Sequence, residues 1–138
     1  MGQKLSFYKM NFEDMQLAIK RGYIIISTLD VNNQKCLIKS TIDPEKEIDL
    51  LNELIRKNKE THIIVYGENS SDMNPFTKYK QLNDLGFTNV NVYGGGLFEW
   101  LLLQDIYGTD EFPTTSSELD LLKYKGQGIF NMQLLTDF

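Results

Sequence analysis

Residues 63–100 read IIVYGENSSDMNPFTKYKQLNDLGFTNVNVYGGGLFEW, an apolar run followed by a polar turn, an amphipathic run and a second apolar run. Residues 62–66 predict a strand covered on both faces, because continuous β-prone apolar runs are typical of parallel sheets. Residues 75–85 predict a helix, which Gly86 can end by adopting a left-handed conformation. Residues 90–93 predict the next strand. This order indicates parallel strands joined by a right-handed helical crossover.

The residues before this stretch predict further helices and strands. Asn11 is placed to cap a helix that Gly22 ends, and residues 23–27 form an apolar run typical of a buried strand. Residues 36–42 alternate enough to predict a second, shorter strand. Asp43 can cap a further helix that ends near residue 59. We therefore expect an α/β fold.

The expected architecture is a single three-layer domain with a central, mostly parallel sheet of about four to five strands, flanked by helices. A chain of 138 residues fits one such core. Residues 97–106 predict a helix that is apolar almost all round and must be covered. The tail after Pro113 can cover it, since Thr115 and Glu118 have capping-box spacing before further leucines. The alternative cover is a partner or a second copy of the chain.

Charge and cysteine content limit the function classes. The formal net charge of −5 disfavours nucleic acid and anionic membranes as partners, because both select for clustered basic residues. No apolar run approaches the roughly 20 residues that cross a bilayer. Cys36 is the single cysteine, so an internal disulfide is excluded. A reducing, intracellular and cytoplasmic setting is expected, without a secretory signal.

One ordered set of residues narrows the fold to a family. The chain resembles the rhodanese-like domains over roughly residues 12–113, in a run whose mutual spacings match that family: Leu82, Gly86, Phe87, Val90, Gly94, Gly95 and Trp100. Residues 36–42 are also similar to a family segment, but only at Ile38 and Ile42. We therefore expect residues 1–113 to form the rhodanese-like domain and residues 114–138 to be a C-terminal extension packing on it.

The resemblance also indicates where an active site would lie. In the family the turn after the first strand of this stretch carries a cysteine that takes up sulfur, and often a basic residue. Here the turn has neither, so no catalytic residue is predicted. The turn forms an active-site-like loop of Gly67, Glu68, Asn69, Ser70, Ser71 and Asp72. The family's cysteine position falls on Gly67 or Asn69, depending on the direction of counting. Three glycines are expected to border the pocket: Gly94, Gly95 and Gly96.

The residue types in this turn argue against sulfur transfer. That chemistry needs a thiolate whose charge is stabilised by converging backbone amides. Ser70 and Ser71 have no neighbouring base, and we expect them to hydrogen bond the turn or cap the next helix. Glu68 and Asp72 would repel an anion by about 1 kcal/mol each at surface-like dielectric. A cysteine-dependent phosphatase is also disfavoured, because the turn has neither a cysteine nucleophile nor a basic residue that could hold phosphate.

Other candidate sites are weaker. Cys36 lies in an apolar run, where lone cysteines are mostly small buried hydrophobes. His62 has no second ligand at metal-binding spacing, so no metal is expected. The three glycines lack nucleotide-binding spacing, so no cofactor is predicted.

Three functions remain open on the sequence alone. The first is a catalytically inactive rhodanese-like domain acting as a protein-binding or scaffold module, with a protein or a second copy as partner. Its contact surface would be residues 67–74, together with the helix of residues 97–107 where the tail leaves it uncovered. The second is a thiosulfate or persulfide sulfurtransferase with an atypical site, such as Cys36. The third is a flavodoxin-like or receiver-like fold, ranked last because residues 27–30 offer only Asp30 at a strand end.

Overall fold

The computed structural model describes residues 9–130. Its centre is a sheet of four strands, β1 (Lys9–Met10), β2 (Ile24–Ser27), β3 (His62–Tyr66) and β4 (Asn89–Tyr93). The strands are parallel and lie in the order β1-β4-β3-β2. The prediction of a parallel sheet of about four to five strands is therefore confirmed.

Four helices connect and cover the strands: α1 (Phe12–Arg21), α2 (Pro44–Lys57), α3 (Asn74–Asp84) and α4 (Gly96–Tyr107). Each agrees with a predicted helix to within a few residues. Helix α1 begins with a capping box between Asn11 and Asp14 and ends at Gly22, whose φ is 70°. Helix α2 begins at Pro44, with the Asp43 side chain accepting the Glu45 amide.

The sheet is buried on both faces, which gives three layers. Alternate strand residues point to opposite sides. On one side Ile64 and Tyr66 of β3 belong to a cluster that includes residues of α1 and α4. On the other side Ile63 and Val65 belong to a cluster with residues of α2 and α3. This double burial explains why β3 is a continuous apolar run.

The predicted strand over residues 36–42 is wrong. This segment makes only single bridges, Ile25 with Thr41 and Ile38 with Thr114. Ser40 has a φ of 74°, which breaks the extended conformation. The Ile38 amide donates to the Tyr66 hydroxyl at 3.1 Å instead of to a neighbouring strand. The sheet instead gains the two-residue strand β1 at its edge, which no sequence pattern predicted.

The chain after α4 folds back over that helix without forming the predicted capped helix. Thr115 Oγ1 accepts the Leu37 amide at 3.0 Å, so it does not cap a helix. The segment instead contains a 3₁₀ turn, Leu121–Tyr124. Phe112 is buried against Trp100, with their rings 5.0 Å apart and nearly perpendicular. The division of the chain at residue 113 stays a prediction.

Within residues 9–130, no helix is long and apolar enough to cross a membrane.

Candidate functional site

The active-site-like loop, here called the 67–72 loop, connects β3 to α3 at the carboxyl end of a central strand. Residues 63–66 of β3 are almost fully buried and hold the start of the loop against the core. Pro75, in the first turn of α3, is buried and lies close to Gly67. The six predicted loop residues therefore lie together at the carboxyl ends of the parallel strands, where parallel folds commonly place their sites.

Gly96 brings the first turn of α4 directly against this loop. Its φ is 71°, and a Cβ atom there would lie 2.7 Å from the Asn69 nitrogen and 2.8 Å from the Gly67 oxygen. The next two amides of α4, at Leu97 and Phe98, donate to the carbonyls of Gly67 and Glu68 at 2.9 and 2.8 Å. These α4 amides consequently bind the loop backbone and do not face an incoming anion.

The other two predicted pocket glycines have different surroundings. A Cβ atom at Gly95 would lie 2.3 Å from Glu99 Oε1, so this glycine makes room for the Glu99 carboxylate. The buried Tyr93 hydroxyl donates to the same oxygen at 2.6 Å, and burial together with Glu99 raises the pKa of Tyr93. Gly94 is half-buried between β4 and this turn. Contact between the glycine turn and the loop backbone is therefore made at Gly96.

The Asp72 carboxylate accepts one amide of the 67–72 loop and the first amide of α3. Asp72 Oδ2 accepts the Glu68 amide at 3.0 Å, and Oδ1 accepts the Asn74 amide at 2.9 Å. A Cβ atom at Gly67 would lie 2.3 Å from Asp72 Oδ2, so the carboxylate fills the space above that glycine. A negative group of the chain itself therefore stands where backbone amides could bind an external anion.

Asn69 organises the rest of the loop. Its side-chain oxygen accepts the Ser71 amide at 2.9 Å, and its carbonyl accepts the Asp72 amide at 3.2 Å. Its side-chain nitrogen donates to the Tyr124 carbonyl at 2.9 Å, which joins the loop to the C-terminal segment. Ser70 and Ser71 are exposed. Of the two roles expected for these serines, capping α3 is wrong, because Asp72 accepts the first amide of that helix. The other role, hydrogen bonding within the turn, stays a prediction.

The surroundings of the loop are acidic. A cavity of about 80 Å³ beside it is lined by Thr28, Leu29, Asp30, Glu68, Asp72 and Asn74. Partial burial, followed by the charges of Asp72 and Asp30, raises the pKa of Glu68, and a hydrogen bond from Asn33 opposes this shift. Lys78 pairs with Glu47 of α2. Acidic side chains therefore line this cavity, and the expectation that the loop disfavours anions stays a prediction.

Cys36 and His62 lie outside this loop. Cys36 is 2% exposed, and its thiol donates to the Ser116 carbonyl at 3.4 Å. Burial raises the pKa of the Cys36 thiol more than hydrogen bonds with Thr114 and Ser116 lower it, so the thiolate is disfavoured. His62 begins β3, at the opposite end of that strand from the loop, and stacks on Tyr23 at 4.3 Å. Among residues 9–130, no group of three acidic, histidine or cysteine side chains could hold a metal ion.

Sequence reasoning missed two interactions at the site, those of the Asp72 carboxylate with backbone amides and of Asn69 with Tyr124. The role of Asp72 has a local signal, because aspartate two residues before an amide commonly accepts it in a turn. The contact of Asn69 with Tyr124 spans 55 positions of the chain and has no local signal. The first omission could have been avoided, and the second required the tertiary structure.

Comparison with solved structures supports the fold. The chain is similar to the Alr3790 protein of Anabaena sp., with 21% identity, a TM-score of 0.57, and coverage of 83% of this chain and 97% of that chain. It is also similar to the BH2092 protein of Bacillus halodurans, with 23% identity, a TM-score of 0.59, and coverage of 94% of this chain and 90% of that chain. A third similar structure is Ygr203w of Saccharomyces cerevisiae, a homolog of single-domain rhodanese and Cdc25 phosphatase catalytic domain. Its identity is 18% and its TM-score 0.58, with coverage of 83% of this chain and 91% of that chain. At such identities these likenesses show the fold alone.

Sequence comparison identifies the family. No curated protein matches the chain. The family profile described as Rhodanese-like domain matches residues 28–103, which is more than half of the chain and includes β3, the 67–72 loop, α3 and β4. The chain therefore belongs to the rhodanese-like domain family.

Proposed function

We propose that this chain is a catalytically inactive rhodanese-like domain that acts as a protein-binding or scaffold module through the 67–72 loop. The observation that carries the proposal is the Asp72 carboxylate, which accepts the amides of Glu68 and Asn74. Sulfur transfer needs a thiolate and amide donors that remain open to charge on sulfur or on an anionic substrate. The loop contains no cysteine, and its Asp72 carboxylate already accepts one of the loop amides, that of Glu68, together with the first amide of α3.

The outer side of the loop supplies the proposed contact surface. Ser70 and Ser71 are exposed, and the neighbouring Met73 is 68% exposed. Loops held on a rigid scaffold commonly carry recognition, and methionine is enriched at protein interfaces. The exposed apolar residues Ile106 and Tyr107 end α4, roughly 15 Å from its first turn at 1.5 Å per residue. We therefore centre the surface on the loop and not on α4.

A capture experiment with matched variants tests binding. Met73→Asp should reduce recovery of a partner at least tenfold, whereas Ile48→Asp on α2, where Ile48 is 70% exposed, should leave recovery unchanged. Light scattering of the purified chain shows whether the partner is a second copy. If both variants recover every partner at the wild-type level, the loop is not the contact surface.

An activity assay tests the competing sulfurtransferase. In that reaction a thiolate breaks the sulfur–sulfur bond of thiosulfate, sulfite leaves, and cyanide then accepts the outer sulfur as thiocyanate. Burial and the raised pKa of Cys36 oppose such a role, so we expect no thiocyanate and no persulfide on the intact protein. Thiocyanate formation that Cys36→Ser abolishes would overturn the proposal.

We also propose an intracellular setting. Cys36 is the single cysteine of the chain and is a buried free thiol, so no internal disulfide contributes to stability. Fractionation of cells that express the chain at its natural level is the test, and recovery from the medium contradicts the proposal.

A further inference from the structure

The segment of residues 114–126, here called the C-terminal strap, is firmly attached at its start. Thr114 pairs with Ile38 in an antiparallel bridge. The Thr115 amide donates to the Leu37 carbonyl at 2.8 Å, and its hydroxyl accepts the Leu37 amide at 3.0 Å. The Ser116 hydroxyl donates to the Lys35 carbonyl at 2.8 Å. These bonds fix the strap to the segment that precedes α2.

The middle of the strap lies on the surface. Ser117 and Asp120 are exposed, and Leu119 is 91% exposed although it is apolar. Lys123 pairs with Glu118 at 3.3 Å, which is a contact inside the strap. Residues 117–120 therefore form a connector with little attachment to the core.

The far end of the strap contacts the 67–72 loop at Asn69 and passes beside Ser71. Tyr124 is 1% exposed and belongs to the cluster that includes Leu97 and Trp100 of α4. Its carbonyl accepts a hydrogen bond from the Asn69 side chain at 2.9 Å. A Cβ atom at Gly126 would lie 3.5 Å from Ser71 Oγ, so the strap passes directly beside the loop. The buried Tyr124 ring, the partly buried Leu121 that packs against the same cluster, and the hydrogen bond from Asn69 thus attach this end.

We propose that residues 121–126 hold the partner's place beside the 67–72 loop, and that a partner binds by replacing them with a segment in which an aromatic residue is flanked by lysines. This inference rests on the proposed function and specifies its partner. The resident segment reads Leu-Lys-Tyr-Lys-Gly over residues 122–126. It supplies an aromatic ring to the α4 cluster and a carbonyl to Asn69.

Charge favours a basic segment in this place. Asp30, Glu68 and Asp72 line the cavity beside the loop. Lys123 lies 5.6 Å from the centre of the Tyr124 ring, and Lys125 is exposed next to it. A replacing segment with lysines beside its aromatic residue is attracted to this edge, whereas an acidic segment is repelled.

Because the strap belongs to the same chain as the loop, it competes better for this place than a free peptide does. The test must therefore weaken the strap first. A short connector gives a tethered segment a millimolar effective concentration, so a free peptide competes poorly with it. Removing the Tyr124 ring from the full-length chain weakens the resident segment and leaves its place available. A peptide with the sequence of residues 117–128 can then bind in trans, provided that it carries its tyrosine.

The experiment compares this peptide with one that has alanine at the tyrosine position, using calorimetric titration and thermal unfolding. For the full-length Tyr124→Ala variant we expect binding of the tyrosine peptide at least tenfold tighter than to wild type, and a raised Tm. The alanine peptide should produce neither effect. Equal binding of the two peptides to the variant, or equal binding of the tyrosine peptide to variant and wild type, overturns the inference.

Two further variants complete the test. Tyr124→Leu keeps an apolar side chain in the core. If Tyr124→Ala does not fold, Tyr124→Leu is titrated in its place with the same two peptides, and the same results support or overturn the inference. Adding Asn69→Ala to either variant should weaken the tyrosine peptide at least threefold, because the donor to its carbonyl is lost. The peptide titrations decide this inference alone, whereas the Met73→Asp capture decides the proposed function, so failure of one is distinguishable from failure of the other.

Discussion

Gly96 is the single residue on which the contact between α4 and the 67–72 loop depends most. An added Cβ atom there meets the loop backbone at 2.7 Å, and the φ of 71° is unfavourable for any other side chain. We expect Gly96→Ala to lower the free energy of unfolding by about 2 to 5 kcal/mol, the sum of left-handed strain and overpacking. Urea denaturation measures the change.

Gly22 provides a matched control for this substitution. Its φ is 70°, and an added Cβ atom there meets nothing within 4 Å. Gly22→Ala should therefore cost only the left-handed strain, about 1 to 2 kcal/mol. Equal losses for the two variants would contradict the close packing of Gly96 against the loop.

Glu68 gives the loop a pH dependence of known sign. Partial burial and the charges of Asp72 and Asp30 raise its pKa above the ordinary value of 4.5. The native state therefore favours the protonated carboxyl, and this contribution to stability is present below pH 4.5 and lost as pH rises through the higher native pKa. At neutral pH the ionised Glu68 consequently destabilises the fold.

Glu68→Gln tests this dependence. The variant should be more stable than wild type at pH 7 by less than about 1 kcal/mol, because the group is partly exposed, and the difference should vanish at low pH. The Asn33 side chain can still donate to the glutamine oxygen. Asp49→Asn on the exposed side of α2 corrects for the change in net charge. A stability difference that grows as pH falls would contradict the sign.

At the scale of elements, α4 depends on the chain that follows it. Its apolar sequence needs cover on several sides, and Phe112 supplies part of that cover against Trp100 and Phe12. Phe112 is 3% exposed, so Phe112→Ala should cost about 3 to 5 kcal/mol, as large-to-small core substitutions do. Fluorescence of Trp100 during denaturation reports the loss, because this is the only tryptophan.

Phe130 is the control for that substitution, since it is 74% exposed. Phe130→Ala should change stability by no more than about 0.5 kcal/mol. A loss at Phe112 no larger than that at Phe130 would show that α4 is covered in another way.

Elements whose signals are local could be predicted from the sequence, and the others could not. Helix α1 carries its cap, its periodicity and its terminal glycine within a dozen residues. Residues 36–38 are apolar because they are buried in the cluster with residues of α1 and α4, and their hydrogen bonds reach the start of the C-terminal strap, about 80 positions later. Strand β1 has two residues, which is too short for any periodicity.

The candidate site also has some features that the sequence could predict and others that it could not. The absence of a thiol and the acidic character of the 67–72 loop are properties of adjacent residues, and the sequence predicted both. The bonds from the α4 amides to the loop carbonyls, and the contact of Tyr124 with Asn69, join segments that only the fold brings together. The C-terminal strap lies outside the matched residues 28–103, so the family resemblance could not predict its contact with the loop either.

At the scale of the whole molecule, the two sides of the sheet form two separate clusters of buried side chains that share the same strands. Residues 63 and 65 of β3 face one cluster, and residues 64 and 66 face the other. Because β3 cannot keep its hydrogen bonds to β2 and β4 when either side is lost, we expect the domain to unfold as one cooperative unit. Damage on the α3 side should therefore reach Trp100 on the α4 side.

Leu82→Ala tests this coupling. Leu82 lies on α3, is 1% exposed and packs in the cluster opposite Trp100, so the substitution should cost about 2 to 5 kcal/mol. Trp100 fluorescence and far-ultraviolet circular dichroism should give the same lowered urea midpoint. Leu85 directly follows α3 and is 47% exposed, so Leu85→Ala should change either midpoint little. A Trp100 transition that stays at the wild-type midpoint while the circular dichroism transition moves would mean that the two sides of the sheet unfold independently.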